Sequence, residues 1–275
     1  MTTRTRLSLY LKQRQALINR ALEQLLPTVE TFPPVIHEAM RYSTLGEGKR
    51  IRPILTLAAA EAVGGALEDA LPAACAIELV HAYSLVHDDL PAMDDDDMRR
   101  GRPSCHKRFG EAIGILTGDA LLTHSFWILA RQRRRPAAWL KIAQELAYGA
   151  GTMGMIGGQV VDIDFSKRDR ASLEYILAHK TGALISTAVR IGGMAGGARA
   201  VALRRLSRYG ECVGLVFQLV DDLLDRDGVV VAWGEAETRH RAEQLTEQAR
   251  RAAHFFGRRG EPLVELAEFV LTREL

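Results

Sequence analysis

Two apolar stretches of this chain run into clusters of aspartate, and that pairing constrains the fold more than any other feature. Val213-Gly214-Leu215-Val216-Phe217-Gln218-Leu219-Val220 leads into Asp221-Asp222-Leu223-Leu224-Asp225, and the segment before Asp88-Asp89-Leu90-Pro91-Ala92-Met93-Asp94 is similarly apolar. Both stretches read as buried helices, and Asp221 and Asp225, four apart, share a helix face. Carboxylates gathered at the ends of buried helices repel one another and lose hydration, at a cost of many kcal/mol unless cations neutralise them. The economical solution sets the two helices face to face around hard metal ions, with magnesium the expected choice. Taken alone, the tetrad Asp94-Asp95-Asp96-Asp97 reads equally well as a solvated loop.

Elsewhere, apolar residues recur at three and four, and few runs rich in Val, Ile and Thr alternate as strands do. The expected fold class is all-α, with helices at about 5–25, 34–42, 53–64, 68–90, 111–130, 136–157, 171–193, 199–226, 235–256 and 261–273. Breaks fall at Pro27, Pro33-Pro34, Gly64-Gly65, Gly101-Arg102-Pro103, Gly192-Gly193 with Gly196-Gly197, and Gly257 to Pro262. A chain of 275 residues with 47% hydrophobic content buries a large core. No linker interrupts it, so one large helical bundle spanning 1–275 is expected.

Several function classes drop out. A net charge of +2 is small for this size, and Arg131-Gln132-Arg133-Arg134-Arg135 reads as a basic interhelical turn, so no nucleic-acid partner is expected. Cys75, Cys105 and Cys212 are scattered and odd in number, which argues against a disulfide framework and for a reducing compartment. Met1 to Leu22 lacks the unbroken apolar core of a signal peptide, and no stretch of about twenty apolar residues is expected to span a membrane. A cytoplasmic protein is the resulting expectation.

His81, Ser84 and Asp88 fall at intervals of three and four and line one helix face, a polar stripe that implies a cavity. Arg99-Arg100 come after the first acids, where guanidiniums fork onto phosphate oxygens. Gly46-Glu47-Gly48-Lys49-Arg50-Ile51-Arg52-Pro53 sets cations on a turn before a helix, where free backbone N–H groups also favour an anion, although such a turn is often simply solvated. Acids with arginines fit a metal-bridged diphosphate better than a metal store.

The run from Glu78 to Asp96, continued by Arg99-Arg100-Gly101, resembles the first aspartate-rich region of bacterial farnesyl diphosphate synthases, in the trans-prenyl diphosphate synthase family. Gly48 to Pro53, His179-Lys180-Thr181-Gly182-Ala183-Leu184 and Phe217 to Asp225 match other blocks of that family in order. The resemblance implies an all-helical homodimer that condenses isopentenyl diphosphate with an allylic diphosphate, dimethylallyl or geranyl, using Mg²⁺. Asp88, Asp89, Asp94, Asp221, Asp222 and Asp225 would hold three Mg²⁺ ions, or Mn²⁺, on the allylic diphosphate. Arg99 and Lys180 would grip that diphosphate, with Thr181 and Gln218 near the allylic carbocation. Lys49, Arg52, His81 and Arg100 would hold isopentenyl diphosphate. The absence of a nucleophilic triad is expected for such a reaction.

In this family, bulk beneath the first acid motif sets product length. Tyr83 and Ser84 occupy those positions, an arrangement that resembles the fifteen-carbon type; a Tyr83 ring tilted away would instead allow a twenty-carbon, geranylgeranyl product. One departure stands out. The family continues past its second acid motif through a Gly- and Lys-rich loop, but here Asp225-Arg226-Asp227-Gly228 passes directly into Val229-Val230-Val231-Ala232-Trp233-Gly234. No lysine occurs after Lys180. Losing such a lid weakens diphosphate binding, so two alternatives stand: an active synthase, and a catalytically weak homologue that binds diphosphates or partners a second subunit.

Overall fold

The computed structural model describes residues 3–163 and 169–273. In chain order, α1 (Thr3–Leu25), α2 (Pro34–Leu45), α3 (Ile51–Ala62) and α4 (Leu67–Asp88) precede a two-stranded hairpin, β1 (Met98–Arg99) with β2 (Arg102–Pro103). Then come α5 (Cys105–Phe109), α6 (Glu111–Ala130), α7 (Pro136–Ala150), α8 (Met155–Ile163) and α9 (Arg170–Ile176), which runs through a π-helical turn, Leu177–Gly182, into α10 (Ala183–Ala195). The chain closes with α11 (Ala200–Asp225), α12 (Val229–Trp233), α13 (Glu235–His254), a 3₁₀ turn at Gly257–Gly260 and α14 (Glu261–Thr272). The all-α reading holds.

The centre of the bundle is α4, packed by α3, α6 and α10. Ala70, Ala73, Ala74, Cys75, Ala76, Ile77, Leu79 and Val80 are all fully buried; the small side chains let neighbours approach on every side, which is why this helix shows little amphipathic pattern. Thr56 of α3, fully buried, donates its hydroxyl to Ala188 O of α10 at 3.0 Å, which satisfies this polar group at the crossing. A second pile of helices, α10, α11 and α13, lies beside the first. Arg50 caps α3 in the left-handed region and is buried, donating to Glu78 at 2.6 Å, Asn19 at 2.9 Å, Thr44 O at 2.7 Å and Gly46 O at 2.8 Å. That strut folds the Gly46–Lys49 turn against α4.

Two expectations need correction. The helix expected at 136–157 is two, because Gly151 adopts an extended backbone between α7 and α8. The helix expected at 171–193 contains the π turn, and the hairpin and the short α5 and α12 carry too few residues for a periodic signal. By length and composition alone, α4 and α6 would each be long and apolar enough to cross a membrane. Most of the α4 window is buried in the bundle, whereas α6 leaves Ile115, Leu116 and Trp127 about half exposed.

Candidate active site

At the end of α4 the two aspartates face different surroundings. Asp89 is buried, and its Oδ1 accepts two bonds from Arg99, one from Nε at 2.8 Å and a shorter one from Nη2, which also reaches Asp96 Oδ2 at 2.8 Å. The hairpin that delivers Arg99 turns on Arg100-Gly101, both with positive φ, the pairing that a two-residue turn between twisted strands requires. Asp88 is half-buried, and its Oδ1 accepts one bond, from Gln159 Nε2 at 3.1 Å. Burial pushes the Asp88 carboxyl up to about 6, against the opposing pull of Lys180. Asp94 N donates to Asp88 O at 2.8 Å, folding the exposed Asp94 back beside it.

The end of α11 repeats the arrangement with other partners. Both oxygens of the buried Asp222 are engaged: Oδ1 by Gln218 Nε2 at 2.8 Å and Oδ2 by the backbone N–H of Val229 at 2.9 Å. Gly228 makes this possible. Its φ is +55°, and a Cβ there would overlap the Asp222 carboxylate. Asp221, half-buried, takes one bond at Oδ1, from Arg273 beyond α14, and burial raises its pKa against that guanidinium. Asp225 is exposed.

The π turn connects the two ends. Lys180 Nζ donates to Asp162 of α8 at 2.5 Å, and Thr181 Oγ1 donates to Gln218 Oε1 at 2.8 Å, so Thr181, Gln218 and Asp222 form one line of bonds. A wide turn of this kind shifts the helix register and commonly marks functional positions. Gly158 lets α8 lie directly against the backbone of Lys180, where a Cβ would overlap it. Gln159 and Asp162 were not named from the sequence. The signal was Gly157-Gly158-Gln159 and then Asp162, polar residues at three-residue spacing after paired glycines in an apolar segment.

Two cavities meet between these elements. An open cleft of about 890 Å³ is lined by Lys49, Arg52, His81 and Arg100, which gathers the four residues expected to hold isopentenyl diphosphate, with Phe217 at its edge. A second, mainly apolar cavity of about 450 Å³ is headed by Asp88, Gln159, Lys180 and Thr181 and bounded below by Tyr83 and Ser84. Arg52 and His81 line both. Arg52 Nη1 lies 3.3 Å from His81 Nε2, so the guanidinium donates and the imidazole accepts. Burial, then the positive charge of Arg52 and its neighbours, holds His81 well below its usual pKa and therefore neutral, while burial lowers Arg52 to about 10.

Carboxylates from Asp88, Asp94, Asp221 and Asp225 are the hard oxygen donors that Mg²⁺ takes, commonly with waters and phosphate oxygens completing the shell. Among the described residues these acids form no preformed group of ligand atoms. The cluster that does lie within 4.8 Å is Asp95, Asp97 and His106, on the hairpin side of the first motif.

Comparison with solved structures gives the class. An FPP/GFPP synthase from Zymomonas mobilis, solved without ligand, superposes with a TM-score of 0.93 at 34% identity, covering 98% of this chain and 99% of that one. A geranyltransferase from Legionella pneumophila gives 0.92 at 32% identity, covering 99% and 98%. The fold is therefore that of the helical isoprenoid synthases. The profile of the Polyprenyl synthetase family matches residues 33–235, and the chain belongs to that family of trans-prenyl diphosphate synthases. It is 38% identical to a geranylgeranyl diphosphate synthase of Cyanophora paradoxa over 297 aligned positions, covering 99% of this chain and 98% of that one. A dimethylallyltranstransferase of Fischerella ambigua is 40% identical, covering 96% and 83%. An alignment of 297 positions exceeds the 275 residues of this chain, so the Cyanophora relative carries residues that this chain lacks.

Proposed function

We propose that this protein is a prenyltransferase that joins isopentenyl diphosphate to an allylic diphosphate and releases farnesyl diphosphate. The observation that carries the reading is the pair of cavities meeting at Arg52 and His81, one cationic and open, the other acid-headed and apolar. That is the shape two diphosphates need when only one of them ionises. Lys49, Arg52 and Arg100 bind the isopentenyl diphosphate, and neutral His81 fixes the direction of Arg52 by accepting its hydrogen bond. In the neighbouring cavity Lys180 would grip the allylic diphosphate directly, and the first acid motif would orient it through the bound metal. Asp88, Asp94, Asp221 and Asp225 would hold magnesium, which would supply positive charge to stabilise the departing diphosphate. Thr181 contributes a hydroxyl dipole to the cavity wall, and Met155, Ile156 and Val160 give that wall an apolar surface for the prenyl tail. The isopentenyl double bond then attacks, and the adjacent proton leaves to diphosphate.

Tyr83 supports the fifteen-carbon length. Its side chain is 5% exposed, its ring meets His87 edge to face at 5.8 Å, and His87 Nε2 in turn bonds Ile115 O of α6 at 3.0 Å, so the cavity floor is braced by the next helix. The name of the Cyanophora relative favours twenty carbons instead. A product assay by mass spectrometry with isopentenyl diphosphate, Mg²⁺ and each of dimethylallyl, geranyl and farnesyl diphosphates separates the two. Fifteen carbons from the native protein and longer chains from Tyr83→Ala support this reading. Twenty carbons from the native protein reject the floor, and no product with any primer rejects the prenyltransferase. The exposed apolar residues Leu116 and Trp127 of α6 and Leu140 and Tyr148 of α7 are read as contributing to a contact between two copies; a monomer in equilibrium sedimentation would refute it.

A further inference from the structure

Arg273 lies just past α14 and reaches the second acid motif from the far end of the chain. Its Nη2 donates to the carbonyl of Phe217 at 2.7 Å and to Oδ1 of Asp221, and its guanidinium carbon lies 3.6 Å from the centroid of the Phe217 ring. The side chain is 8% exposed. Stacking, a carbonyl and a carboxylate thus fix the guanidinium in three ways, which a surface ion pair does not do. Its Nε is buried and unpartnered, so donor capacity remains at this place. Among the described residues, Arg273 supplies the hydrogen bond and the ion pair that Asp221 makes, and both use Oδ1. The sequence offers no lysine after Lys180, and Arg226, next to the motif, is the exposed left-handed cap of α11.

We propose that Arg273 is the positioning residue of the second acid motif: by holding Oδ1 of Asp221 it aims Oδ2 at the metal, and it sets a buried positive charge on Asp221 where the short connection after Asp225 offers only the exposed Arg226. This rests on Asp221 being a metal ligand. A lone carboxylate at a helix end rotates freely about its last bond, and tying one oxygen fixes where the other points before the ion arrives; partners of this kind are commonly worth one to two orders of magnitude in metal affinity. Phe217 gives the guanidinium a flat face to rest on. The same ring lies 5.9 Å from the guanidinium carbon of Arg52, so the residue that seats Arg273 also borders the cationic cleft.

The test is calorimetric titration of the full-length protein with Mg²⁺ in the presence of inorganic diphosphate, comparing the native chain, Arg273→Gln and Arg273→Lys, with an unfolding curve for each. Arg273→Gln is expected to weaken Mg²⁺ binding about tenfold and Arg273→Lys about threefold, while KM for isopentenyl diphosphate stays within about twofold. Unchanged Mg²⁺ affinity in a folded Arg273→Gln protein overturns the proposal. Tighter binding also overturns it, by making Arg273 a competitor for Asp221, and a loss confined to the isopentenyl diphosphate KM assigns the residue to the cationic cleft instead. If Arg273→Gln does not fold, Arg273→Lys decides, and no loss of affinity there contradicts the assignment. A native protein that binds Mg²⁺ with diphosphate yet makes no product refutes the prenyltransferase reading and leaves this comparison readable.

Discussion

The two acid motifs end their helices alike but are supported from different distances. At the end of α4, Asp89 is tied to Arg99 and Asp88 takes a single bond from Gln159. At the end of α11, Asp222 is tied through both oxygens and Asp221 takes its bond from Arg273. Each motif thus has one aspartate holding the protein and one with an oxygen to offer. The difference lies in the next stretch of chain. After the first motif comes a hairpin with its own Arg99, Arg100 and Arg102; after the second, Arg226-Asp227-Gly228 leads straight into α12. A motif with a cation-bearing hairpin is neutralised locally, and one without it draws its cation from 52 residues away.

This comparison breaks most visibly at the aspartates themselves. Asp88→Ala and Asp221→Ala are each expected to lower kcat about 10³-fold or more if both carboxylates hold the metal as proposed; Asp88→Ala strands no buried partner and leaves stability nearly unchanged, whereas Asp221→Ala also costs stability because it leaves the buried Arg273 guanidinium without its carboxylate. Asp222→Ala is expected to cost about 2–4 kcal/mol of stability, because the Val229 N–H and Gln218 lose a buried acceptor. Denaturant unfolding beside steady-state kinetics checks both. A catalytically dead but fully stable Asp222→Ala would erase the division of labour.

Gly228→Ala probes the same joint from the other side. Its left-handed φ of +55° and the overlap of a Cβ with the Asp222 carboxylate predict a loss of about 2 kcal/mol. An unchanged midpoint in urea would mean that the connection is held elsewhere.

A smaller effect appears with pH. Folding raises the Asp88 carboxyl from its ordinary 3.8 to about 6, so the folded state binds more protons, and the resulting stability is present below the unfolded value and lost as pH rises through about 6. In metal-free protein Asp88→Asn is therefore expected to stabilise by about 1 kcal/mol at pH 7.5, the group being partly solvated, and to have no such effect at pH 4. Stabilisation that is equal at both pH values would show that burial of this carboxylate is not the cause. Smallest of all, Lys107→Ala removes an ion pair to Asp97 whose partners are 42% and 71% exposed, and a change above about 0.5 kcal/mol would contradict its reading as a surface contact.

Much of this architecture was legible because it is local. Long apolar periods that end in acids define α4 and α11, and Pro and Gly punctuate their neighbours. The break at Gly151 was hidden because Gly149, Gly151, Gly154, Gly157 and Gly158 sit in a segment whose apolar spacing continues across the turn. The π turn at Leu177–Gly182 leaves no period of its own, since six residues are too few to separate it from α-helix. Lys180 and Thr181 were named from their block, but Gln159, Asp162 and Arg273 were not. Their roles come from tertiary approach, and neither a C-terminal arginine meeting Asp221 nor an amide meeting Asp88 leaves a mark in local sequence.

The most direct test of this division is a crystal structure with Mg²⁺ and inorganic diphosphate bound. The account predicts metal on Asp88 and on Oδ2 of Asp221, Arg273 still on Oδ1, and Asp222 still accepting from the Val229 N–H. Metal bound through Asp222, with the Val229 contact broken, would contradict it.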